Sequence, residues 1–199
     1  MLLSVGLKEW SAIIEAIGTG EQSVLVRRYG PKQNDLVLYP TFNYYLSVKT
    51  RPQLFDELFR TDFSVAARKS AEETTERATK DYFVDLKYFV QVQEILSVSN
   101  PKTWKALSSY FVWSPDHVAQ YAATGALLWL VRAFKLPSPV VLGRPGGGGG
   151  SVNFCTLPNP VDIEGAQPVM TEAAYSEYSK AVKEIVDKNE KVTQTRNHD

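Results

Sequence analysis

Apolar residues recur at Leu7, Trp10, Ile13, Ile14 and Ile17, the spacing of one helical face, and Gly18-Thr19-Gly20 ends the run. The spacing predicts an amphipathic helix over 7–17. Ser23 to Arg28 is short and β-branched, a strand broken at Tyr29-Gly30-Pro31, and Leu36 to Tyr39 reads as a second strand stopped by Pro40. Gln53 to Phe59 reads as a short helix. Residues 66–81 differ in texture: Glu, Lys and Arg alternate at i,i+4 and no large apolar side chain occurs before Tyr82. Such a pattern predicts a charged, solvent-exposed arm.

Period-two alternation from Tyr82 to Ser97 (Val84, Leu86, Tyr88, Val90, Val92) predicts a long half-buried strand. Asn100-Pro101 opens a loop or helix toward Trp104 and Leu107, and Ser114-Pro115-Asp116 caps a short helix through His117 and Tyr121. Ala126 to Phe134 reads as a buried strand, broken by Pro137-Ser138-Pro139 before a short strand at 140–142. Five consecutive glycines then precede a strand over 152–157. Residues 158–168 cross irregularly. Thr171 caps a last helix whose Tyr175, Tyr178, Val182 and Ile185 form one stripe, and the charged tail 188–199 is expected to fray. Short strands with helices at irregular intervals give an α+β class with a small mixed β-sheet or barrel. The expected organisation is one domain over 1–187, with a charged arm at 66–81 and a Gly-rich loop at 143–151.

Charge changes this picture locally. The 199 residues carry 22 Lys+Arg and 22 Asp+Glu, which excludes a generally basic nucleic-acid coat and a polybasic membrane binder. Yet residues 22–55 and 95–144 are each net +4, while 1–21, 56–94 and 145–199 are −2, −3 and −3. A local basic face is therefore compatible with neutrality. One cysteine, Cys155, forms no intrachain disulfide, and two histidines with one cysteine build no N/S zinc site. No signal-peptide pattern or membrane-length apolar run occurs, so the expected location is cytoplasmic, with no membrane partner and no cofactor.

Catalytic motifs fail one by one. The glycine run lacks the Lys-Ser/Thr and the following helix of a phosphate-binding loop. His117 reads as a cap or surface group, and Cys155 as an inert thiol in an apolar strand. Asp81, Asp85 and Lys87 share a strand face at a spacing compatible with a metal-nuclease site, and equally with a solvated face. The better signal is aromatics among cations: Arg27, Arg28, Tyr29 and Lys32, then Tyr39 and Tyr44, later Arg132 and Lys135. Cations offer phosphate contacts and aromatic faces stack bases.

Several segments, in order, resemble an uncharacterised family known as domain of unknown function 1802: Leu7-Lys8-Glu9-Trp10, Gly20 to Arg27, Leu38-Tyr39-Pro40-Thr41-Phe42, Phe111-Val112-Trp113, Leu130 to Pro139, and Pro168-Val169-Met170-Thr171. The family implies a single-domain intracellular protein and carries no activity. A His-Gln that usually follows the Tyr-Pro-Thr-aromatic motif is here Asn43-Tyr44-Tyr45. The Arg-Lys-Gly-Gly turn is Arg27-Arg28-Tyr29-Gly30, and a family tryptophan is Phe154 or displaced. If the family's histidine is catalytic, this chain has lost it. At fold level, a helix running into Gly20-Glu21-Gln22 and an Arg-bearing strand is similar to PUA-like pseudobarrels, including ASC-1 homology and EVE domains. That resemblance implies contact with RNA or modified bases.

Three readings follow. The favoured one is a binding module for RNA or a modified nucleotide, using Arg27, Arg28, Tyr29, Lys32, Tyr39, Tyr44, Arg132 and Lys135. The second is a metal-dependent nuclease using Asp81, Asp85 and Lys87, or Glu9 and Glu15. The third is a protein-interaction subunit working through the 66–81 arm or the C-terminal helix. No catalytic residue is assigned.

Overall fold

A computed structural model describes residues 1–41, 53–143 and 153–195. Tyr44, Arg144 and the five-glycine run lie outside these residues. The chain runs β1 (Leu2–Trp10), α1 (Ser11–Gly18), β2 (Val24–Arg27), β3 (Asp35–Thr41), α2 (Leu54–Leu58) and α3 (Ser64–Glu76). A π-helical turn (Arg77–Asp81) leads into β4 (Phe83–Val98), α4 (Pro101–Ala106), a 3-10 turn and α5 (Pro115–Tyr121). The chain ends with β5 (Ala126–Gly143), β6 (Phe154–Asp162), β7 (Gln167–Pro168) and α6 (Glu172–Thr195). The class is α+β. The seven strands form one mixed sheet in the order β2-β5-β4-β3-β1-β6, with β7 on β5. Among the described residues, β1 and β3 pair in parallel and the other pairs are antiparallel.

The sheet is not closed into a barrel, but it curls. Leu25 of edge strand β2 and Phe154 of edge strand β6 belong to one core cluster. Leu7, Leu36, Leu38, Val90, Trp129 and Val131 join it from the strands between. Ile13, Ile14 and Ile17 of α1 fill the concave side. A second cluster packs α4, α5 and α6 on the opposite face through Trp104, Val118 and Val182 against Val24, Leu128 and Leu130. Alternate residues of β2 and β5 thus serve different cores, as the two-residue period requires.

Several elements depart from the pattern-based expectations. Residues 2–10 form a strand, so the helix expected from residue 7 begins at Ser11. The cause is pairing: β1 lies between β3 and β6, and those ladders outweigh a helical stripe. β3 passes through Pro40, whose missing N–H is no obstacle at the strand's end. The expected pair of strands around Pro137 is one element with a pairing gap: Leu86 faces Val140 and Tyr88 faces Lys135, so the proline segment bulges. The 66–81 arm is docked. Ala67, Ala71, Thr75 and Ala78 form a small-residue face that is buried, and α3 packs on α1. Its pairs Lys69–Glu73, Glu76–Lys80 and Arg77–Asp81 decorate the outer side. The C-terminal helix continues past Lys188 to Thr195. Glu190 holds it there, accepting from Ser99 N and Oγ, Asn100 N and the Thr103 hydroxyl at 2.6–3.3 Å. Those donors pull its carboxyl below the usual range against the opposing effect of burial.

Where α1 ends, the Tyr88 ring occupies the place a Cβ on Gly18 would take. Gly18→Ala gains helix propensity of up to about 1 kcal/mol but displaces a packed ring, so the expected net loss is about 1–3 kcal/mol. Urea denaturation measures it, and an unchanged or raised midpoint would contradict this packing.

Candidate nucleic-acid interface

At one end of the concave face, Glu9 is the last residue but one of β1 and Arg27 is the last residue of β2. Each follows a core residue, Leu7 or Leu25, by two positions, so strand alternation turns both inward. The two form a buried ion pair through Arg27 Nη2 and Glu9 Oε2, with side chains 10% and 4% exposed. Arg27 Nη1 donates to the Val26 carbonyl at 3.0 Å, and Glu9 Oε1 accepts from Trp10 N at 2.8 Å. The Thr41 hydroxyl donates to the Glu9 carbonyl at 3.0 Å, tying in the end of β3. Burial works to lower the Arg27 pKa; the Glu9 charge beside it outweighs that and leaves it raised. Arg27 therefore stays charged at any ordinary pH.

Above this floor runs a row of half-buried aromatic rings. Trp113, His117 and Tyr121 stand four residues apart, the last two on α5 after the Ser114 cap, whose Oγ accepts from His117 N at 3.2 Å. Ring centroids are 5.4 Å apart for Trp10–Trp113, 4.8 Å for Trp113–His117 and 6.5 Å for His117–Tyr121. Arg28 extends the row, its guanidinium 4.6 Å from the Tyr121 centroid and its Nε donating to the Tyr121 carbonyl at 2.7 Å. Tyr29 sits edge-on against Trp129 at 5.9 Å and Phe154 at 5.7 Å, bridging the gap between the sheet's two edge strands. Lys32 lies 5.3 Å over the Phe154 ring. Burial lowers the His117 pKa and pushes the Tyr29 hydroxyl up to about 12, so both are neutral near pH 7. The chemistry on offer is ring faces for stacking, with two exposed cations beside them.

Of the residues expected from sequence, Arg28, Tyr29 and Lys32 gather here. Arg27 lies beneath them, committed to Glu9. Tyr39 points to the other side of β3, buried with Val37 and Leu86 in a third cluster. Arg132 is on the opposite face of β5 from Trp129, bound to Glu172 at 2.5 Å and lying near the Phe134 and Tyr175 rings. Lys135 is exposed farther along β5, beside Gln167 of β7. Tyr44 lies outside the described residues. Trp113, His117 and Tyr121 escape a residue-by-residue reading of the sequence; their i,i+4,i+8 spacing is the signal that could find them.

The alternative acidic site is brought together, but with its charges spent. Asp85 accepts a two-pronged contact from Arg77 at 3.0 and 3.3 Å, Asp81 accepts from Arg77 at 2.9 Å, and Glu15 accepts from Lys87 at 2.8 Å. A cleft of about 170 Å³ between α1, α3 and β4 is lined by Glu15, Arg77, Asp85 and Lys87. Glu9 is with Arg27, away from Glu15's partners. Among the described residues, no group of three or more His, Cys, Asp or Glu side chains is placed to hold a metal ion. Cys155 is half-buried, and burial raises its thiol pKa, which leaves it a poor nucleophile.

On sequence alone Arg27 reads as a surface cation, replaceable without loss of folding, and its burial revises that. Arg27→Ala leaves the Glu9 carboxylate buried without its counter-charge, at an expected cost of about 3–5 kcal/mol in urea denaturation. A cost under about 1 kcal/mol would show that the pair is solvated in solution.

Three solved structures with which the chain aligns come from Zymomonas mobilis. The first is the crystal structure of its ASCH protein, 13% identical, TM-score 0.43, covering 77% of this chain and 86% of that one. Two single-residue mutants of the same protein align with TM-scores of 0.43 at 12% and 13% identity. They cover 89% and 77% of this chain and 94% and 88% of theirs. A likeness of this size does not carry function across. No curated protein matches the chain, and among the described residues no helix is long and apolar enough to cross a membrane. The family model described as a domain of unknown function (DUF1802) matches residues 6–181, nearly the whole chain, and this protein therefore belongs to the DUF1802 family.

Proposed function

We propose that the chain is a nucleic-acid binding module that takes single-stranded RNA, or a modified nucleotide within it, at the open end of the curled sheet. One observation carries the reading. Three residues of a single turn, Arg28, Tyr29 and Lys32, each lie against an aromatic ring, and the half-buried row Trp113–His117–Tyr121 continues from the first of them. Single-strand binders combine cations that follow the phosphates with ring faces that accept bases. The exposed cations Arg28 and Lys32 supply a local positive field in a neutral protein. Tyr39 and Arg132 fall away from this surface and have no part in it. A chain with one cysteine suits a reducing compartment, so a cytoplasmic location goes with the same reading.

The test is an RNA-binding titration against salt, comparing the natural chain with Arg28→Ala plus Lys32→Ala. Removing one cation that meets a phosphate reduces the slope of log K against log salt by about 0.7 on a single strand. The double variant is expected to bind about tenfold more weakly at physiological salt with a shallower slope. Both cations are exposed, so its thermal midpoint should be unchanged. Equal affinity and slope in the two proteins, or absence of binding in both, would overturn the proposal.

A further inference from the structure

Among the described residues, two buried donors on the concave face lack a partner. Arg27 spends Nη1 on the Val26 carbonyl and Nη2 on Glu9, while its Nε has no acceptor; the indole N–H of fully buried Trp129 has none either. Across the β2–β5 ladder Leu25 faces Trp129 and Arg27 faces Leu127. Arg27 and Trp129 are therefore diagonal neighbours on the inner face, within reach of one another. Among the described residues they are the two such donors on that face. Native proteins pair roughly 90% or more of their buried polar groups with protein or ordered water, so two neighbouring donors of the same polarity mark a place where an acceptor from outside the chain can bind. Tyr29, half-buried in the turn after β2, covers the spot and leans on Trp129 and Phe154. Both contacts are edge-to-face, at interplanar angles of 89° and 72°, so a planar ring already occupies this place between two other aromatic residues.

We infer that this end of the sheet reads a nucleobase through the oxygen on C4 of a pyrimidine or C6 of a purine, received by Arg27 Nε–H and Trp129 Nε1–H after the Tyr29 ring swings aside, so that uracil and guanine are taken in preference to cytosine and adenine. The inference rests on the nucleic-acid reading above. Uracil O4 and guanine O6 are acceptors, whereas cytosine and adenine place an amino donor at the same position. Two protein donors facing an amino group would leave all three unpaired. Arg27 contributes direction and not net charge, because Glu9 already neutralises it. Selection therefore falls on hydrogen-bond polarity, while Arg28 and Lys32 on the rim meet phosphate whatever the base.

The experiment is fluorescence anisotropy with labelled oligo(U), oligo(C) and oligo(A), and an oligo(U) in which O4 is replaced by sulfur, a weaker acceptor, all on the natural chain. The expected order is oligo(U) about tenfold tighter than oligo(C) and oligo(A), with most of that advantage gone in the sulfur-substituted strand. Trp129→Phe keeps an aromatic ring, removes the N–H and should narrow the preference; a melting curve checks that it folds, and the sulfur substitution decides independently if it does not. Salt-dependent binding that ignores base identity and sulfur would overturn this inference alone, the two donors then serving a buried water. No binding to any strand would overturn the nucleic-acid reading and the inference together.

Discussion

The ion pair between Arg27 and Glu9 joins parts of the sheet that the strand order separates. β2 is one edge, and β1 lies next to the other. A contact between their ends exists only because the sheet curls back on itself, and α1 leaves Glu9 directly through Trp10. A buried pair of this kind is a weak source of net stability, since desolvating two charges costs about as much as their attraction returns. Its effect is geometric. The Glu9 carboxylate satisfies Arg27 and the Trp10 amide, and the Glu9 carbonyl takes the Thr41 hydroxyl, so the ends of β1, β2 and β3 and the start of α1 are set relative to one another.

What surrounds the pair follows from that arrangement. With β2 held over the concave face, the next residues emerge at the open end. Tyr29 falls into the gap between the edge strands, and Arg28 meets α5 through Tyr121. α5 is held in turn by the second core through Val118 and by its serine cap. Rigid elements thus supply the ring row, and a short turn supplies the cations. Apart from the Tyr29 ring, such a surface keeps its shape before any ligand arrives.

Much of the frame can be read from local patterns. The alternation of β4 and the caps at Ser114 and Thr171 are written in neighbouring residues and appear where the pattern puts them, and of the loop or helix expected after Asn100 the structure has the helix. Expectations fail where a distant partner decides. Leu7 and Trp10 fit a helical stripe, but strand pairing on both sides of β1 claims them. The α3 face escapes notice because its contacts are made by alanine and threonine, residues too small to mark a buried stripe. Arg27 and Arg28 are adjacent and chemically alike, yet strand alternation turns one into the core and the other to solvent. Of the site itself, the 28–32 turn is legible as cations among aromatics. The Trp113–His117–Tyr121 row is not, because His117 taken alone looks like a cap and only its spacing to two other rings gives it a place.

The Arg27–Glu9 pair holds the curled edges of the sheet together. Native-state amide hydrogen exchange on the Arg27→Ala chain measures this directly. Protection should fall selectively at Val24–Arg27, at Trp10 and at Phe154, while the β3–β4 ladder at Leu36 and Val90 keeps its own. Uniform loss across all strands, or unchanged protection at β2, would contradict it.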